Sequence, residues 1–178
     1  MSVVDPQQLA DEARSAYNKG DYLSAARLYK AAADGYLSAE NELLAAEMAN
    51  NSSVAYLKGG NAEAALQAAM NTDMVFVARG DKFRQALALG NQAAAWEGLK
   101  QLDKAITAYQ QSAQLLEELG ESELRVYVMQ SLSAIQLRRG QYLEAYATMS
   151  DGVMGIKKPN LSQKVLKSLM KLPFKFMR

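Results

Sequence analysis

YNKGDYLSAARLYKAA, residues 17–32, decides how the chain folds, because the pattern returns three times at a spacing of 40. LKGGNAEAALQAAMNT (57–72), EGLKQLDKAITAYQQS (97–112) and LRRGQYLEAYATMSDG (137–152) align with it without a gap. Ala25, Ala65, Ala105 and Ala145 share one register position. Gly20, Gly60 and Gly140 stand five residues earlier, with Lys100 in the fourth slot. Three residues before the alanines come Tyr22, Ala62, Leu102 and Tyr142. A fixed period of this length marks a repeat architecture, in which each unit buries its apolar face only against its neighbours. Stacks of this kind work as extended surfaces, which points to binding rather than catalysis.

Residues 81–120 show what one unit predicts. Gly80 suits the left-handed residue just past a helix end, and Asp81 can accept from the free N–H groups of the next helix. Phe83, Ala86, Leu87, Gly90, Ala93, Ala94 and Trp96 then recur at three-to-four spacing, as one helix face requires. After a break near Lys100–Gln101, a second helix carries Leu102, Ala105, Ile106, Tyr109, Ala113, Leu116 and Leu119. Each unit therefore predicts two antiparallel helices of roughly four turns joined by short turns. The shared alanine falls where the paired helices come closest. A larger residue there costs about 1–3 kcal/mol by overpacking.

The arrangement resembles the tetratricopeptide repeat in a long, 40-residue form. Gly20-Asp21-Tyr22-x-x-Ala25-x-x-x-Tyr29-x-x-Ala32 and Gly140-Gln141-Tyr142-x-x-Ala145 carry the likeness best. Trp96 with Leu102, Ala105 and Tyr109, and Tyr56 with Gly60 and Ala65, add to it. Lys100 departs from a glycine, Thr72, Ser112 and Gly152 from a late alanine, and Gln136 from an aromatic. The proline usual between repeats is missing, as longer helices would explain. The resemblance implies an all-α, right-handed α-solenoid of about four helical hairpins (residues 5–39, 40–79, 80–119 and 120–156). These form one domain over residues 1–156, followed by a basic amphipathic C-terminal helix and tail over 157–178.

The resemblance also implies a concave groove lined by the first helix of each pair. Asp11, Asn51, Asn91 and Ser131 form one row, and Ala10, Asn50, Gly90 and Gln130 its neighbour. Arg14, Glu47, Lys58, Leu87, Tyr127 and Arg138 border them. Stacked asparagines can donate to and accept from the backbone of an extended peptide, or they can bond neighbouring helices and water. Both readings stay open. The family's carboxylate-clamping mode is disfavoured by Asp11, Glu47 and Leu87 in the corresponding rows. Tyr17, Trp96, Tyr109 and Tyr127 read as packing residues rather than platforms for nucleobases.

Composition narrows the function classes. Cysteine and histidine are absent, which removes disulfides, thiolate metal sites, the usual general base near neutral pH and the commonest metal ligand. No nucleotide-binding loop appears, and Glu117, Glu118, Glu121 and Glu123 read as solvated helix ends. No enzyme, cofactor or metal is expected. Met1-Ser2-Val3-Val4-Asp5-Pro6 lacks a basic segment followed by a long apolar run, and no apolar run approaches about 18 residues. A cytoplasmic location is expected, with peripheral membrane attachment left open.

Seven of the twenty basic residues follow Asp151 and none of the nineteen acids does, so the body carries −6 and the tail +7. The acidic body opposes nucleic-acid binding. In the tail, Asn160 and Gln163 predict a capped start. Leu161, Val165, Leu166, Leu169 and Met170 share one face of the helix, while Lys164, Lys167 and Lys171 share the other. Pro173 ends it, and Phe174-Lys175-Phe176-Met177-Arg178 follows. Three readings result. The helix caps the stack, apolar face inward and lysines in water; or it adsorbs to an anionic membrane through Lys164, Lys167, Lys171, Phe174, Lys175, Phe176 and Arg178; or it fills the groove of its own or a second copy. The leading functional expectation is a non-enzymatic scaffold that binds a peptide or helix of another protein. A peripheral membrane adaptor and a self-assembling repeat protein are the alternatives.

Overall fold

A left-handed backbone position recurs every twenty residues, and it divides the chain into helices. The residues are Gly20, Glu40, Gly60, Gly80, Lys100, Gly120 and Gly140, with φ of 82, 58, 79, 68, 60, 76 and 73°. At each, the residue's own N–H bonds the carbonyl three positions back, and the next N–H bonds the carbonyl five positions back. The Gly20–Tyr17 and Asp21–Ala16 pair, both 3.0 Å, is typical, and Lys100–Glu97 and Gln101–Trp96 repeat it at 2.9 Å. These two bonds close a Schellman turn, which satisfies carbonyls that a helix end leaves free. The following residue is also the N-cap of the next helix. Asp21, Asn41, Asn61 and Asp81 accept there from the N–H groups of Ser24, Leu44, Ala64 and Arg84.

The structure, a computed structural model, describes residues 5–156 and 159–170. They form α1 (Pro6–Asn18), α2 (Tyr22–Ser38), α3 (Glu42–Lys58), α4 (Ala62–Ala69), α5 (Thr72–Ala78), α6 (Lys82–Gly98), α7 (Leu102–Leu119), α8 (Ser122–Arg138), α9 (Tyr142–Met154) and α10 (Leu161–Met170). Among the described residues there is no β-strand. The described chain is all-helical and most successive helices pack on one another, α1 on α2, α2 on α3, α6 on α7 and α8 on α9 among them, while α4 packs on α3 and α6.

The four register alanines occupy equivalent places. Ala25, Ala65 and Ala105 are wholly buried and Ala145 nearly so. Small residues dominate the core around them, and buried serines fasten the close crossings. Ser52 donates to the Ala26 carbonyl at 2.9 Å, Ser112 to that of Ala86 at 2.7 Å and Ser133 to that of Ala145 at 2.9 Å. A hydroxyl fits where a larger group would push the helices apart, and its bond offsets the cost of burying it.

Two expectations need correction. The second helix of the second unit is not a single four-turn helix. It breaks at Asn71, whose φ of 63° is left-handed, and continues as α5. The carbonyl of Ala69, freed by the break, takes the Gln92 amide at 3.0 Å and the Thr72 hydroxyl at 2.8 Å. Thr72 also lies 3.1 Å from Asn50 Oδ1, and Gln92 donates to Asp73 at 2.7 Å. The bend brings Phe76 to full burial against Ala46 and Ala88. α5 thereby packs on both α3 and α6.

The second correction concerns α10. Its start is as predicted: Asn160 accepts from the Gln163 N–H, and Gln163 accepts from the Asn160 N–H, both at 2.9 Å. Its roll is not. Lys167 turns inward, while Leu161 and Val165 face outward and are exposed. The end of α9 offers carbonyls that an ammonium satisfies and a leucine cannot.

Candidate functional site

Three helices that do not follow one another in sequence, α3, α6 and α8, present rows at three-to-four spacing to a shared cleft of about 390 Å³. α3 contributes Val54, Leu57 and Lys58. α6 contributes Ala86, Leu87, Gly90, Asn91 and Ala94. α8 contributes Leu124, Tyr127, Val128 and Ser131. Tyr109, Ser112 and Leu116 of α7 form the back wall. Gly90 faces this wall: a Cβ there would sit 3.5 Å from the Ser112 hydroxyl, an ordinary contact distance.

The cleft is apolar in character with a few polar groups at fixed places. Leu87 is 38% exposed and Tyr127 71% exposed at its mouth. Asn91 and Ser131 offer an amide and a hydroxyl, and Lys58 is the one charged side chain among the described lining residues. The back wall is held rigid from behind. The Tyr109 hydroxyl donates to Glu97 at 3.0 Å, and Glu97 also takes the Arg138 guanidinium. Burial, then the Glu97 carboxylate, pushes the Tyr109 phenol well above its ordinary value, so it stays a neutral donor. This geometry can hold one or two large apolar side chains and meet a neighbouring polar group. Among the described residues, no group of acids is arranged to hold a metal ion.

Of the residues expected to form a groove, the structure brings Lys58, Leu87, Gly90, Asn91, Tyr127 and Ser131 together. The others lie outside this cleft and several have structural partners. Arg14 pairs with Asp11 at 2.7 Å, Glu47 with Arg84 at 3.3 Å, and Arg138 with Glu97. Asn50 is buried beside Thr72 at the helix break. Asn51 and Gln130 do not line this cleft. Trp96 packs away from the mouth, with the Lys104 ammonium 4.2 Å from its ring centroid. Val54, Leu57, Leu124 and Val128 were not singled out from sequence, although their three-to-four spacing was visible. Of the expected tail contacts, Lys164 is exposed and Lys167 is bonded to α9. Lys171, Phe174, Lys175, Phe176 and Arg178 lie outside the described residues.

Comparison with protein-family models gives no match to this chain, and comparison with curated proteins gives none either. Among the described residues, no helix is long and apolar enough to cross a membrane.

Proposed function

We propose that this chain is a non-catalytic interaction scaffold of the tetratricopeptide type. It is a right-handed solenoid of four helix pairs whose concave side grips a short segment of another protein. The recurrence of one turn every twenty residues, and of four equivalently buried alanines every forty, supports the architecture. The observation that carries the function is the cleft itself. Leu87 and Tyr127 stand exposed over an apolar hollow lined by Gly90 and backed by α7. Exposed aromatic and aliphatic groups around a preformed hollow are what a partner's anchoring side chain requires. Asn91 and Ser131 supply hydrogen bonds that a peptide backbone can use whatever its sequence.

A displayed library of random peptides, selected on the immobilised chain, tests this reading. Enriched peptides should carry an aromatic or long aliphatic anchor. Their affinity should fall at least about ten-fold when Leu87 and Tyr127 are both replaced by alanine, while helicity is kept and the melting temperature drops only by what the half-buried Leu87 contributes. No enrichment, or peptides that bind the double variant as well as the parent, would overturn the assignment.

A further inference from the structure

The roll of α10 leaves Leu161 and Val165 in water. The Lys167 ammonium donates to the carbonyls of Ile156 at 2.7 Å and Met154 at 3.0 Å, just past and at the end of α9. A cation there also meets the negative end of the α9 dipole. With that contact made, Gln163, Leu166 and Lys167 are half-buried, and Leu161, Ser162, Lys164, Val165 and Ser168 face outward. Leu161 is 80% exposed and Val165 54% exposed, one turn apart on the same line, with Lys164 beside them. A helix serving only as a lid would place these two side chains underneath.

We infer that this outer face of α10 docks on an anionic lipid surface. Charge decides the occupant. Beyond Asp151 every charged residue is basic, seven in all, while the rest of the chain is net acidic. A negative membrane therefore attracts the basic C-terminal segment of the sequence more than the net acidic repeats, which favours contact through α10. Leu161 and Val165 enter the boundary between head groups and acyl chains, and Lys164 lies level with the lipid phosphates. At ten residues the helix is about 15 Å long. It lies in the plane of the surface and does not cross it. The cleft is formed by other helices, so this docking is independent of peptide binding.

Co-sedimentation of the full chain with vesicles tests the inference, using phosphatidylcholine alone and phosphatidylcholine mixed with phosphatidylglycerol. Binding to the mixed vesicles only, weakened by salt, is expected. Replacing Leu161 and Val165 together by serine should reduce it at least about ten-fold, and Lys164→Gln about five-fold. Both variants should keep the parent helicity, since all three positions are exposed. In a separate variant, Val165→Trp, indole emission should shift to the blue when mixed vesicles are added. Failure to sediment with mixed vesicles, equal binding to neutral ones, or indifference to the double serine variant would each overturn the inference. So would a dimer, seen by analytical ultracentrifugation, that the double serine variant dissociates, because a second copy would then own the face.

Discussion

Lys100 and Glu40 hold a backbone conformation that glycine holds at the other recurrent turns. An L-residue with a side chain is strained there, because its Cβ crowds the neighbouring carbonyl oxygen. Lys100→Gly removes that strain at an exposed site and should stabilise the fold by about 0.5–1 kcal/mol net of the added chain entropy; chemical denaturation reads the difference. Asp81 makes the opposite case, a residue already suited to its place. The Arg84 backbone N–H, and then the Arg84 guanidinium, hold its carboxyl below the ordinary value of 3.8. Because the folded value is the lower one, the stabilisation is complete above pH 3.8 and is lost as the pH falls through the lowered value. Asp81→Ala should therefore cost about 1 kcal/mol at pH 7. The gap to the parent should narrow as the pH falls below 3.8, which urea melts at neutral and acid pH can check. The same residue-level physics explains why turns were readable at glycines, while Glu40 and Lys100 were recoverable only from the period around them.

Helix faces were legible where their cause is local and illegible where it lies on another helix. The periodic rows of α3, α6 and α8 follow from residue spacing, and Lys58, Leu87, Gly90, Asn91, Tyr127 and Ser131 of those rows line the cleft. The break between α4 and α5 does not follow from residues 62–78 alone. It needs Asn50 from α3 beside Thr72 and Gln92 from α6 at the Ala69 carbonyl, and no propensity of the broken segment reports those. The roll of α10 is likewise set by free carbonyls at the end of α9. The back wall of the cleft, Tyr109, Ser112 and Leu116, is buried behind Gly90, so the spacing of Tyr109 and Leu116 reads only as core. Two glycines of α6 now separate packing from opening. Gly98→Ala would place a Cβ 2.7 Å from that of Ala62 and should destabilise by about 1–3 kcal/mol. Gly90→Ala meets only the Ser112 hydroxyl, at 3.5 Å, and should stabilise by about 0.5–1 kcal/mol while making the cleft shallower. Thermal melts of the two variants should move in opposite directions.

Across the molecule, the forty-residue period was the most readable property, and the structure resolves it further into a twenty-residue turn. Fold class could be read because burial is shared among neighbours that repeat the same rule. The partner could not, because clefts in such a stack depend on which small residues happen to face one another, as Gly90 and Ser112 do. The turn itself carries a consequence for how the chain can grow. Since one residue finishes each Schellman motif and starts the following helix, every junction of this kind has nearly the same entry and exit. A copy of residues 81–120 spliced in after Gly120 would meet at both seams the junction it left, so the protein could lengthen by whole units without a new linker. The block 41–80 would not travel as freely. Its bent helix relies on Gln92, which lies beyond its own boundary, so a transplanted copy would arrive without the support that holds it bent.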